Sequence, residues 1–170
     1  MPRSTNVDLY FSYGSNMSLA RLLQRAPSIQ CTGRAVLVNH ELRFHKAGQD
    51  GSAKCDAYET HDAESYVVGV LYKMDHLDKG KLDLIEGLGK GYNEKEVCIQ
   101  TEEGKHVNAF TYYAVNIDKN LFPYHWYKEH VLRGARQNGL PGHYIKWIES
   151  ISSIKDPDQS RHKRELAIYR

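Results

Sequence analysis

The first clear pattern along the chain is an apolar alternation followed directly by helical spacing. Leu9, Phe11 and Tyr13 would share one face of a strand over residues 9–13, which Gly14 ends. Ser18 is placed to cap a helix that Pro27 stops. The apolar positions of that helix are Leu19, Leu22, Leu23 and Ala26. The pattern predicts a strand, a tight turn and a helix.

The middle of the chain alternates between strand-like and polar segments. Residues 31–39 and 41–46 are typical of two strands around Asn39 and His40, and the polar segment 47–65 is typical of a loop. The apolar run over 66–74 predicts a core strand. Asp75 is expected to cap a helix that ends at Gly87. The apolar positions of this helix are Leu77, Leu82 and Ile85.

The last third of the domain predicts a hairpin and two helices. The alternating runs 92–101 and 105–115 are joined by Glu102, Glu103 and Gly104, which is typical of an antiparallel hairpin. Pro123 can open a helix that stops at Asn138 and Gly139, and Pro141 can open another. Strands in hairpin order with inserted helices indicate an α+β fold, a curved sheet or barrel with helices outside. We predict one domain over 1–152 and a polar, partly ordered tail over 153–170.

Composition narrows the class of protein without identifying its chemistry. The longest apolar run, 67–72, is too short for a membrane span, and a net charge of +2 gives no reason to expect nucleic acid. The basic cluster at 161–164 is expected to be solvated. The first ten residues resemble neither a secretory signal nor a transit peptide. Three separated cysteines indicate reduced thiols, so a cytoplasmic location is expected.

Gly14, Ser15 and Asn16 form the first candidate site, between a strand end and a helix start. Backbone N–H groups without partners and a positive helix dipole suit an anion or oxyanion at such a junction. A plain turn explains the same residues, with Gly14 at positive φ and Asn16 or Ser18 as the cap. The Gly-Lys-Ser/Thr sequence of a triphosphate loop is missing after Gly14.

Glu86 is the second candidate, because it extends the helix face that carries Leu82 and Ile85. A carboxylate drawn inward there would be partly desolvated and could act as a base. On pattern alone, an exposed Glu that closes a helix end is the simpler explanation. The glycine-rich segment 87–91 follows a helix and precedes a strand, so it predicts a flexible connection rather than a dinucleotide site.

The positions of the histidines and cysteines give little reason to expect a metal site or a cysteine nucleophile. His40 and His45 lie on opposite strand faces, and His125 and His130 do not share a helix face, so no metal site is expected. Cys55 has no identifiable base beside it and is interpreted as structural. Residues alone therefore indicate an α+β domain with an anion-binding turn as one of two interpretations.

Four segments occur in this order along the chain: "YFSYGSNM", "FHKAGQDGSAKCDA", "VVGVLYKMDHLDKGKLDLIEG" and "GARQNGLPGHYI". Together they resemble the γ-glutamylcyclotransferase family, and the resemblance covers residues 8–152. The glutathione-specific branch typically carries "YGSL" and the branch acting on γ-glutamyl amines carries "YGTL". The "YGSNM" of this chain is nearer the branch that acts on γ-glutamyl amino acids.

The resemblance implies an enzyme that releases 5-oxoproline and a free amino acid without a cofactor, on a barrel-like mixed sheet with helices around it. It implies that Tyr13, Gly14, Ser15 and Asn16 line the γ-glutamyl pocket. Glu86 matches the family's catalytic carboxylate, acting as base and then as acid. Two family tyrosines that face the pocket match Tyr92 and Tyr144. A homodimer is compatible with the resemblance.

Two alternatives remain at this stage. A cyclotransferase for γ-glutamyl amines or other γ-glutamyl amides shares every residue named and differs only in its leaving group. A non-catalytic module that binds γ-glutamyl-like anions would keep the turn and would not need Glu86. The loops near 47–65 and 116–125 are expected to set specificity.

Overall fold

The fold is built on a closed barrel of five strands, seen in a computed structural model that describes residues 6–170. The barrel order is β1-β5-β2-β6-β7, and β3 and β4 form a separate two-stranded sheet. In chain order the strands are β1 Val7–Ser12, β2 Gln30–Val38, β3 His40–Ala47, β4 Ala53–Glu59, β5 Tyr66–Asp75, β6 Tyr92–Thr101 and β7 His106–Ala114. The expected α+β class and barrel-like sheet are confirmed.

Five helices surround these sheets. They are α1 Leu19–Arg25, α2 His76–Glu86, α3 His125–Gln137, α4 Gly142–Ser150 and α5 Gln159–Leu166. Short 3₁₀ turns lie at Ser15–Met17 and Ala167–Tyr169. No helix within residues 6–170 has the length and hydropathy needed to cross a bilayer. The absence of a targeting signal stays a prediction, since residues 1–5 lie outside the described residues.

Local signals place most helix ends and the hairpin. The Ser18 hydroxyl accepts a hydrogen bond from the Arg21 amide, and the Asp75 carboxylate accepts one from the Asp78 amide. Gly87 ends α2 in the left-handed region at φ 68°. β6 and β7 pair antiparallel across the predicted turn. The barrel closes where β1 runs parallel to β7 at Tyr10.

Only some of the apolar residues expected on the inner faces of α1 and α2 are buried. Leu22 and Leu82 are fully buried, whereas Leu19 and Leu23 are about two-fifths exposed and Leu77 is 79% exposed. Both helices lie on the barrel surface, so each buries a narrower stripe than the periodicity indicated.

Residues 53–59, expected within a polar loop, form β4 instead. They pair antiparallel with β3. Their polar composition concealed the strand, because Asp56 is buried and its carboxylate contacts His45 at 2.7 Å while accepting a bond from the Ala114 amide. Partnered polar side chains are compatible with a buried strand.

The segment beyond Ser152 is also better ordered than expected. It contains α5, and the fully buried Asp156 carboxylate accepts hydrogen bonds from the Trp126 indole at 2.8 Å and from Arg161. Glu165 contacts Arg21 at 2.8 Å. The contacts of Asp156 with Trp126 and of Glu165 with Arg21 join distant parts of the chain and have no local sequence signal, which is why the polar composition suggested a loose tail. The predicted domain boundary at residue 152 stays a prediction.

Candidate active site

The turn between β1 and α1 packs against β5 and against the C-terminal part of α3. The Met17 carbonyl accepts hydrogen bonds from the Tyr72 hydroxyl at 3.0 Å and the Asn138 side chain at 3.2 Å. Gly134 of α3 packs so closely that a Cβ there would lie 2.5 Å from Met17. Gly134 and Asn138 both belong to the "GARQNGLP" segment. That segment therefore holds the turn in place.

Two backbone N–H groups of the turn point to a binding role. The amides of Ser15 and Asn16 have no hydrogen-bond acceptor among residues 6–170, whereas the next amide, that of Met17, bonds to the Gly14 carbonyl. Both residues line a small pocket. Unpaired amides at the start of a helical turn are suited to a carboxylate or a carbonyl oxygen.

Gly14 is required for a reason other than the one expected. Its φ is −117°, so the expected positive φ at this position is wrong. A Cβ at Gly14 would instead lie 3.0 Å from the Cys55 Cβ and 3.5 Å from the Tyr127 hydroxyl. Close approach of β4 and α3 explains the glycine.

Glu86 lies at the C-terminal end of α2 and faces the same pocket. Its oxygen Oε1 accepts hydrogen bonds from the Asn16 side chain at 2.8 Å and from Arg25 at 3.2 Å. Arg25 also donates to the Asn16 side-chain oxygen at 3.3 Å. No residue of the described chain bonds to the other oxygen, Oε2. The carboxylate is thus held by one oxygen, while the second is open to a ligand.

The interpretation of Glu86 as an inward carboxylate fits this geometry, since its side chain is 14% exposed. Ile85 does not share this inward face, because it is 50% exposed. Glu86 follows Leu82, one turn earlier, which is fully buried.

Tyrosine rings form the walls of the pocket. The Tyr13 hydroxyl donates to the Tyr112 carbonyl at 2.6 Å, and the Tyr92 hydroxyl donates to the Cys55 carbonyl at 2.6 Å. Tyr127 accepts a bond from the Cys55 amide at 2.9 Å. Burial raises the pKa of Tyr13, Tyr92 and Tyr127 well above the ordinary tyrosine value. Their hydroxyls therefore stay protonated near pH 7.

Cys55 also lines the pocket, as an uncharged thiol. Burial raises the pKa of its thiol to about 12, and the charge of the neighbouring Asp56 adds to the effect. A thiol of this kind is a poor nucleophile, because the thiolate is the reactive form. The structural interpretation of Cys55 agrees with this environment.

The structure brings six of the seven predicted residues together. Tyr13, Gly14, Ser15, Asn16, Glu86 and Tyr92 line one pocket with Tyr10, Cys55, Tyr112 and Tyr127. Tyr144 is not among them: it lies on α4 and lines a different groove with Tyr66 and Trp147. Sequence spacing could not place Tyr144, because its position depends on how α4 packs against the rest of the fold.

Sequence reasoning missed Arg25 and did not anticipate the side-chain role of Asn16. Arg25 stands 61 residues before Glu86, and only the docking of α1 beside α2 brings the two side chains together. No local motif marks such a pair.

Comparisons with known proteins agree with this architecture. The family model described as "AIG2-like family" matches residues 66–148. The "Gamma-glutamylcyclotransferase" of Bos taurus is 33% identical over 147 residues, with 84% of this chain and 78% of the relative covered. The protein of that name from Homo sapiens is 32% identical at the same coverage.

A solved structure titled "Gamma-glutamyl cyclotransferase" matches with a TM-score of 0.82 and 27% identity, covering 94% of this chain and 99% of that chain. The fold and the sequence relatives together define an enzyme built on a closed five-stranded barrel. The chain belongs to the γ-glutamylcyclotransferase family.

Proposed function

We propose that this enzyme converts γ-glutamyl amino acids into 5-oxoproline and a free amino acid by intramolecular aminolysis. The observation that carries the proposal is the placement of the Glu86 carboxylate in one pocket with the unpaired turn amides of Ser15 and Asn16. The relatives' names supply the substrate class.

The substrate contains both reacting groups, so the enzyme need not bring two molecules together. The α-amine of a γ-glutamyl group can reach its own γ-carbonyl carbon and close a five-membered ring. The amine is protonated at neutral pH and must lose a proton before it can attack. The leaving nitrogen must gain one before it departs.

Glu86 is suited to both transfers. Its free oxygen Oε2 would accept a proton from the α-ammonium, and the amine lone pair would then form the new C–N bond. The amides of Ser15 and Asn16 would stabilise the oxygen on which negative charge develops. As the tetrahedral intermediate collapses, the original C–N bond breaks and Glu86 returns its proton to the departing nitrogen. Glu86 would then accept the second proton of the ring nitrogen and pass it to the free amine, which leaves as an ammonium.

Asn16 and Arg25 would act as positioning residues. They hold Oε1 at 2.8 Å and 3.2 Å, so the carboxylate keeps one orientation while Oε2 exchanges the proton. The hydroxyls of Tyr13 and Tyr92 already donate hydrogen bonds to backbone carbonyls. The proposed contribution of these two residues is therefore the shape of the γ-glutamyl pocket.

The test is the identity of the product. Purified protein would be incubated in parallel with γ-glutamyl-alanine, γ-glutamyl-lysine isomers and glutathione, and 5-oxoproline, glutamate and free amine would be quantified together. We expect 5-oxoproline and amine in equal amounts from γ-glutamyl-alanine. Glutamate in place of 5-oxoproline would mean hydrolysis by water. Neither product, with a γ-glutamyl ligand still raising the melting temperature, would favour a binding module.

A further inference from the structure

A second cavity adjoins the tyrosine-lined pocket, and Glu86 lines both. This cleft has a volume of about 480 Å³. It is bordered by residues 46–50 at the end of β3, by residues 84–87 and by Asn116. A substrate with its γ-glutamyl part in the inner pocket would therefore extend its leaving group past Glu86 into this cleft.

The cleft is lined by four cations and two carboxylates, and two of the cations are already paired. Lys54 contacts Asp50 at 2.8 Å, and Arg21 contacts Glu165 at 2.8 Å. Lys90 is exposed on the rim. Lys46 differs from these three, because its side chain is buried and has no ion pair among the described residues.

Lys46 is only 8% exposed, yet its ammonium has neither an ion pair nor a hydrogen bond within the described part of the chain. The Nζ atom lies 4.7 Å from the centre of the Tyr92 ring. Gly91 makes room for it, since a Cβ there would lie 2.7 Å from Nζ. Glu86 and Asp50 are the acidic groups whose charges act on it from a distance.

The Lys46 side chain is largely buried, and removing an ammonium even partly from water is unfavourable unless an anion lies near it. Burial lowers the pKa of Lys46, and the charges of Glu86 and Asp50 oppose that shift. The side chain is held against Tyr92 and Gly91, and its charged end borders a cavity. Such a group is suited to an anion that arrives with the ligand.

We propose that Lys46 binds the carboxylate of the departing amino acid and so selects γ-glutamyl amino acids over γ-glutamyl amines. The inference rests on the proposed function. Lys46 lines the outer cleft and not the inner pocket, which places its charge on the leaving-group side of Glu86. The leaving amino acid carries its carboxylate on the carbon next to the departing nitrogen, close to the scissile bond.

The test compares two substrates that differ only in that carboxylate, γ-glutamyl-alanine and γ-glutamyl-ethylamide. For the wild-type protein we expect kcat/KM to be about 10- to 100-fold higher with γ-glutamyl-alanine, the range of a charge-assisted contact. Lys46→Met should remove most of that advantage, and its rate on the ethylamide should stay at the wild-type level. The ethylamide rate also reports that the variant is folded.

Lys73→Met is the matched control, because Lys73 is exposed on β5 and its removal changes net charge equally. It should leave both rates unchanged. Equal losses on both substrates in Lys46→Met would mean that Lys46 serves the γ-glutamyl half, and unchanged rates on both would mean that it binds nothing in turnover. Either result overturns the inference. If the wild-type protein forms no 5-oxoproline from either substrate, the proposed function itself has failed.

Discussion

A single methyl group at Gly134 should disturb the turn that lines the pocket. In Gly134→Ala the new Cβ would lie 2.5 Å from both the carbonyl carbon and the Cβ of Met17, and 2.6 Å from the Ser18 nitrogen. Ordinary contacts between carbon atoms are about 3.5–4.0 Å. The backbone of the turn and that of α3 must therefore separate by about 1 Å.

The size of the effect follows from two opposing terms. Overpacking of a well-filled interface costs about 1–3 kcal/mol, and sometimes more where backbone must move. Replacing Gly by Ala inside a helix contributes about 0.5–1 kcal/mol in the stabilising direction. We expect a net loss of about 1–2 kcal/mol in the free energy of unfolding. A displacement of about 1 Å in the turn should also lower kcat/KM by up to about 100-fold.

Gly80→Ala is the control, since Gly80 lies inside α2 and a Cβ there meets nothing within 4 Å. Gly80→Ala should therefore gain only the higher helix propensity of Ala, which raises the free energy of unfolding by about 0.5–1 kcal/mol relative to the wild type. Urea unfolding and 5-oxoproline release would be measured for both. If Gly134→Ala were as stable as Gly80→Ala, the packing argument would be refuted. Lost stability with unchanged kcat/KM would refute the link between α3 and the site.

Two further variants test the turn and the buried histidine. Gly14→Val should abolish turnover by steric conflict, because a Cβ at position 14 would lie 3.0 Å from the Cys55 Cβ, and normal turnover would exclude the turn from the site. Burial lowers the pKa of His130, although its hydrogen bond to Glu165 opposes this shift. As the pH falls, His130 is therefore protonated in the unfolded chain before it is protonated in the folded chain. Below about pH 6.5 the free energy of unfolding should decrease by up to ~1.4 kcal/mol per pH unit. His130→Gln should reduce this pH dependence of the free energy of unfolding, and the control His61→Gln, at an exposed position, should not. An unchanged pH dependence in His130→Gln would contradict the claim that His130 causes it.

Local chemistry explains why the helix caps and the hairpin could be predicted. Ser18, Asp75 and Gly87 act within one helical turn of their own position, so their signals are complete in a few residues. β6 and β7 are neighbours along the chain and share a short turn. Such features depend little on the rest of the fold.

The remaining features depend on contacts between distant segments. β4 is polar in sequence and is a strand because β3 and β7 supply partners for Asp56. Arg25 meets Glu86 only after α1 and α2 dock on the barrel. Tyr144 follows a family-like motif, yet the course of α4 takes it to another groove. Spacing alone carries no information about these arrangements.

The central claim is that Glu86 exchanges the protons of the cyclisation, and its most direct test is Glu86→Gln. This variant keeps the size of the side chain and can still present an oxygen to Asn16 and Arg25. We expect 5-oxoproline release from γ-glutamyl-alanine to fall by about 10²- to 10⁴-fold, while the ligand still raises the melting temperature. The isosteric change Glu96→Gln, at an exposed position on β6, should leave the rate unchanged. A Glu86→Gln enzyme that turns over near the wild-type rate would contradict the account.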